Sequence, residues 1–259
     1  MPKTATLQTR RPSRFSAEEW QLRVQLAACY RIFDYLGWIE LIYNHISLRL
    51  PGPDHHFLIN PFGLWYKEVT ASNLVKIDLD GNIVGPSEYS INRAGFVIHS
   101  AIHAAREDAL CVMHTHTTAA MAVACQEAGL RMDNFYAAFL GGQIAYHDFQ
   151  GLVVYERERQ DLVQSLGDKP ILMLRNHGPL TVGRTISQAF QHMWTLQRAC
   201  EVQLAAHAAG APVIPISAAA VEASQRGRGN DSYDNVPSDQ RMYAALVRKI
   251  DAIDPSYKT

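Results

Sequence analysis

Two short apolar runs, Ala109-Leu-Cys-Val-Met-His114 and Pro170-Ile-Leu-Met-Leu-Arg175, most narrow what this chain can fold into. Each is too short for a helix and neither alternates with polar residues, so both read as strands buried on both faces. Such strands need an apolar layer above and below, and amphipathic helices are the usual source.

The chain supplies those helices. Ser16-Ala-Glu-Glu19 has the Ser-x-x-Glu form of a capping box, with Phe15 placed to staple onto Trp20. Leu22, Leu26, Cys29, Phe33 and Leu36 then recur at spacings of three and four until Gly37, which predicts a helix over 16–36. Further helices are expected from Gly95 to Arg106, Thr117 to Ala128 and Glu156 to Leu166. Thr185-Ile-Ser-Gln188 caps a long one reaching about Ala209, where Gly210 stops it, and a last helix runs from Ser238 to Ile253. A loop rich in Gly, Ser and Asn is expected at 224–238. Alternating runs at 46–50, 56–59 and 75–79 predict antiparallel strands, the last turning through Asp80-Gly81 into Asn82-Ile-Val84 as a hairpin, and 143–146 adds a short strand. The expectation is an α/β fold in which helices cover both faces of one sheet. It divides into a disordered tail at 1–15, a domain at 16–210 and an extension at 211–259 whose final helix packs on that domain.

Charge excludes some partners. With 24 Lys and Arg against 25 Asp and Glu, and no basic stretch after Arg14, nothing suggests nucleic acid. Lys3, Arg10, Arg11 and Arg14 flank no apolar core, so the N-terminus reads as neither a secretion signal nor a membrane anchor. Cys29, Cys111, Cys125 and Cys200 form no C-x-x-C pair and are expected as buried free thiols of a cytoplasmic protein.

The first apolar run ends in His114-Thr-His116. Residues at i and i+2 of a strand point the same way with β-carbons roughly 6–7 Å apart, which suits two ligands of one metal ion. A third imidazole stands in Asn176-His-Gly178, just past the second run. Asp108, Glu127 and Asp148 lie near these segments in sequence and read as solvated charges.

These segments, with Tyr43-Asn-His-Ile-Ser-Leu-Arg49, Ile59-Asn-Pro-Phe-Gly63 and Ala94-Gly-Phe-Val-Ile-His99, carry a resemblance to the class II aldolase/adducin family over nearly all of 16–210. The resemblance implies a three-layer α/β/α fold around a mainly antiparallel sheet, assembled as a homotetramer with active sites between subunits. It also implies that His114, His116 and His177 bind a divalent ion, zinc first and manganese or iron next. Such an ion polarises a carbonyl and stabilises charge developing on it. Tyr136 resembles a family tyrosine that donates a proton across the subunit boundary, and His99, on the expected second helix, is a second catalytic candidate.

The departures redirect the expected chemistry. The family's acidic proton-transfer residue, four positions before His99, is Gly95 here. Its phosphate-cradling segments become Asn44-His-Ile-Ser47 and Asn60-Pro-Phe-Gly63, and two serines become Arg93 and Ala94. An unphosphorylated substrate follows, contacted by Arg93, His45 and Asn60, with Arg93 suited to a carboxylate. The first expectation is a metal-dependent lyase working by retro-aldol cleavage or decarboxylation. Alternatives are a non-catalytic adducin-like interaction module and a three-histidine iron(II) oxygenase.

Overall fold

The computed structural model describes residues 11–151, 156–227 and 236–259. Seven strands, β1 (His45–Arg49), β2 (Phe57–Ile59), β3 (Val75–Ile77), β4 (Cys111–His114), β5 (Ile144–His147), β6 (Ile171–Leu174) and β7 (Gly178–Gly183), form one sheet. Their order is β3-β2-β1-β4-β7-β6-β5. Neighbours run antiparallel except β5 and β6, which are parallel. Both apolar runs of the sequence become central strands, β4 and β6, buried throughout.

The helices are α1 (Ala17–Leu36), α2 (Arg93–Ala105), α3 (Thr118–Ala124), α4 (Phe135–Ala138), α5 (Glu156–Leu166), α6 (Ile186–Ala208), α7 (Ala218–Gly227) and α8 (Ser238–Ile253). Strand alternation decides which of them each side chain meets. Ile46, Leu48, Cys111 and Met113 face α1, α6 and α8, while Val112, Val182, Leu180 and Leu172 face α2 and α5. Helices therefore lie on both faces of the sheet. The C-terminal segment closes the first face: Ile250 and Tyr257 are buried there, and Met242, Tyr243, Leu246 and Val247 pack beside them.

The start and end of α1 follow the sequence. Ser16 Oγ accepts from the Glu19 amide at 3.0 Å, the Phe15 and Trp20 rings stack at 5.6 Å, and Gly37 closes the helix at φ 70°. Phe15 and Arg14, which donates to the Ser72 carbonyl at 3.4 Å, anchor the last residues of the expected tail; residues 1–10 lie outside the described residues.

Other boundaries move for local reasons. Helix α2 begins at Arg93, because Asn92 Oδ1 caps the Ala94 amide. Helix α3 stops at Ala124, short of the expected Ala128, and turns through Gly129 at φ 60°. Cys125 is thereby exposed, whereas Cys29, Cys111 and Cys200 are buried free thiols as expected. The Asp80-Gly81 turn forms, but Ile77 and Ile83 make only an isolated bridge instead of a paired hairpin. The loop expected from 224 is helical to Gly227 as the end of α7, and 228–235 lie outside the described residues. No helix among the described residues is long and apolar enough to cross a membrane.

Candidate metal centre

The centre is built where β4 and the β6–β7 turn meet. His114 is the last residue of β4 and pairs with Leu180 of β7. Between β6 and β7 the His177 amide donates to the Leu174 carbonyl at 3.1 Å, and Asn176 takes a left-handed φ of 56°. Asparagine tolerates that conformation better than most residues. Gly178 is required for a different reason: a β-carbon there would stand 2.4 Å from the Thr115 carbonyl oxygen. Its absence lets the turn carrying His177 close against the chain carrying His116.

Three ring nitrogens converge as a result. His114 Nε2 lies 2.9 Å from His116 Nε2 and 3.3 Å from His177 Nε2, and the latter two are 3.0 Å apart. Nitrogens held at about 2.0–2.1 Å by one ion stand about 3.3 Å apart in a tetrahedron and about 2.9 Å apart at right angles, so the set fits a divalent cation. The fit extends to protons. His114 Nδ1 donates to the Pro179 carbonyl at 2.9 Å, which leaves its Nε2 a bare lone pair. The backbone of His116 is fixed by Asn44, whose Oδ1 accepts from the His116 amide at 3.1 Å while its Nδ2 donates to the Trp38 carbonyl at 3.1 Å. Burial, then the neighbouring imidazoles His177 and His116, holds His114 well below the usual histidine range. Burial and then His116 push His177 down to about 4, and burial lowers His116. All three are therefore neutral near pH 7, the form that binds metal.

His45 stands beside this centre. It pairs with His114 across β1 and β4, with ring centroids 5.0 Å apart, but is not one of the three clustered donors. Its Nδ1 is 2.7 Å from His99 Nε2, and His99 Nδ1 is 2.5 Å from Ser47 Oγ. Ser47 Oγ is 2.7 Å from His103 Nε2, and His103 Nδ1 donates to the Ala109 carbonyl at 2.9 Å. Burial, then His116 and His177, pushes His45 down to about 3, and burial followed by the Arg49 charge does the same to His103.

The remaining sequence candidates are placed elsewhere. His99, expected as a catalytic group, is fully buried behind His45 with both nitrogens engaged. Asn60 is buried in a network around the Tyr30 hydroxyl, which donates to its Oδ1 at 3.0 Å and accepts from its amide. Arg93 is exposed and lines a cleft of about 360 Å³ with Asp80, Phe96 and Arg159. Tyr136 is half-buried on α4, its ring 5.6 Å from the Arg198 guanidinium. Glu127 and Asp148, read as solvated charges, line a cleft of about 570 Å³ with Phe149 and Asn176, next to His177. Sequence reading missed Asn44, Ser47 and His103 as supports of the site. The available signal was spacing: Ser47 is two residues from His45 on a strand, and His103 is four from His99 on a helix.

Residues 24–204 match the family model for the class II aldolase and adducin N-terminal domain. A solved aldolase II superfamily protein from Pseudomonas syringae is 43% identical with a TM-score of 0.88, covering 95% of this chain and 98% of its own. The L-fuculose 1-phosphate aldolase of Glaciozyma antarctica is 28% identical with a TM-score of 0.82, covering 97% and 98%. Alpha-adducin of Rattus norvegicus is 42% identical over 250 residues, 92% of this chain but 34% of that protein. Sequence match, shared fold and the convergent histidines agree, and the chain belongs to the class II aldolase and adducin family.

Proposed function

We propose that this protein is a divalent-metal-dependent lyase that breaks a carbon–carbon bond in a small unphosphorylated carbonyl or carboxylate compound, by retro-aldol cleavage or decarboxylation. The observation that carries the reading is the convergence of three imidazole Nε2 atoms at 2.9–3.3 Å. A divalent ion bound there, zinc first and manganese or iron next, supplies a Lewis acid that polarises a substrate oxygen. The chain supplies the rest. Pro179 and Asn44 hold His114 and His116 in place, and a set of three imidazoles would leave a coordination position of the ion open to a substrate oxygen. The family fold, read as a three-layer α/β/α sandwich, assembles as a cytoplasmic homotetramer in which Tyr136 of α4 donates a proton to the neighbouring subunit's site.

The 42% identity to alpha-adducin favours one second reading, a binding module without turnover. Metal content per chain separates the two, followed by turnover screens with hydroxy-keto acids and hydroxylated aromatic carboxylates. Carbon dioxide or aldehyde release supports the lyase. Oxygen uptake with iron loaded points to an oxygenase. Protein that takes up neither zinc, manganese nor iron rejects the metal-dependent reading.

A further inference from the structure

The buried line His45, His99, Ser47, His103 has no part in holding the three-histidine centre, yet its hydrogen bonds have only one consistent direction. The Ala109 carbonyl can only accept, so His103 Nδ1 carries a proton. His103 is neutral, because burial opposes a second charge beside Arg49, and its Nε2 is therefore an acceptor. Ser47 spends its one hydroxyl proton on His103 Nε2 and must accept from His99 Nδ1. His99, also neutral through burial, then has a bare Nε2 that accepts from His45 Nδ1. The line ends in a lone pair on His45 Nε2.

The His45 ring makes its one hydrogen bond among the described residues through Nδ1, and it keeps a small open surface, being 4% exposed. Its position is specific. An ideal β-carbon built on Gly95 would lie 2.6 Å from His45 Cδ2 and 2.9 Å from His45 Nε2. The imidazole thus fills the space into which any side chain at 95 would project. It touches the His114 ring but lies outside the donor cluster, a placement suited to meeting a molecule bound at the centre.

We propose that His45 Nε2 is a specificity-determining hydrogen-bond acceptor for a hydroxyl of the bound ligand, with Ser47, His99 and His103 as positioning residues that fix its tautomer. The inference rests on the three histidines being the ligand-binding centre, and it narrows the substrate class to hydroxy-carbonyl or hydroxy-carboxylate compounds. A ligand with an ether or a methylene at that position leaves the acceptor unpaired and binds more weakly.

Neutron diffraction of the metal-loaded protein reads the tautomers directly. Deuterons are expected on Nδ1 of His45, His99 and His103, and a deuteron on His45 Nε2 overturns the inference whatever the metal content. Calorimetry with glycolate and methoxyacetate on zinc-loaded protein tests the consequence, because both probes offer a carboxylate and a metal-accessible oxygen but only glycolate donates. Wild type should prefer glycolate by about tenfold or more, the range expected for one unpaired buried acceptor. The preference should disappear in His45→Phe, shrink in Ser47→Ala and return in Ser47→Thr, with zinc content unchanged. A preference that survives both His45→Phe and Ser47→Ala overturns the assignment, as does equal binding of the two probes by wild type. Failure to load zinc, by contrast, removes the metal reading itself and this inference with it.

Discussion

Replacing Gly95 by alanine tests the packing on which the site's geometry depends. In an ordinary helix interior that change stabilises by about 0.5–1 kcal/mol, because glycine loses more backbone freedom on folding. Here the new β-carbon would meet three ring atoms of His45 at 2.6, 2.8 and 2.9 Å. Normal contact begins near about 3.4 Å, so the ring must retreat by several tenths of an ångström. It has little freedom to do so: β1 is paired on both sides, and Nδ1 is bound to His99 at 2.7 Å. Overpacking of this kind costs about 1–3 kcal/mol, and with a ring held on two sides the upper half of that range applies, which leaves Gly95→Ala less stable by roughly 1–2.5 kcal/mol after the propensity gain. Equilibrium urea unfolding at fixed protein and metal concentration measures it, and repeating the substitution in a His45→Ala background isolates the contact. The cost should vanish there and the sign reverse. A Gly95→Ala protein as stable as wild type, or an equal cost in both backgrounds, refutes the reasoning.

Single His114→Ala, His116→Ala and His177→Ala variants should each lose most bound metal in elemental analysis while keeping wild-type circular dichroism; full occupancy in all three contradicts the centre. His45 and His103 are pushed down to about 3, below the roughly 6.5 of an unfolded histidine, so the unfolded chain binds the extra protons in acid. The stability they contribute is present above pH about 6.5 and is lost as pH falls toward 3, roughly 2 kcal/mol per histidine between pH 7 and 5, and a urea midpoint flat over that interval argues against neutral burial. Solution scattering should show a tetramer at micromolar concentration, and once turnover is found Tyr136→Phe should lower kcat by about 10²-fold or more with metal content unchanged.

Local signals predicted local structure well, and the reasons are visible residue by residue. Ser16, Gly37 and the stripe between them define α1 through interactions no longer than one turn, and Ser238 to Ile253 is a helix end to end. The central strands were legible because a short unbroken apolar run leaves few options. Misreadings arose where a side chain overrode composition. Asn92 pulled the start of α2 back two residues, and Ser217 starts α7 by capping the Ala220 amide at 3.2 Å, so helix extends into a segment read as loop. The three clustered imidazoles were readable as a motif, but the residues behind them were not. Asn44, Ser47 and His103 reach the site only because β1 pairs with β4 and α2 lies across β1, and that pairing is long-range.

The packing of His45 against Gly95 bears on whether this centre is built for chemistry or is a remnant in a binding fold. Loss of a side chain beside a metal site ordinarily leaves a cavity, and a cavity costs stability in proportion to its volume. Gly95 leaves none, because the His45 ring occupies the space at contact distance. A leucine or phenylalanine would fill that space without any polar partner. The chain instead buries three imidazoles and a hydroxyl behind the centre, each hydrogen-bonded to the next, and so bears the desolvation of a polar line that packing alone does not require. The line ends on an acceptor that the protein itself leaves unpaired, beside three nitrogens that also lack internal donors if His116 and His177 share the tautomer of His114. Acceptors gathered at one point without a donor from the chain are matched by a cation together with a hydrogen-bond donor. That arrangement favours a centre that binds a metal and a hydroxylated ligand over a surface that binds a protein.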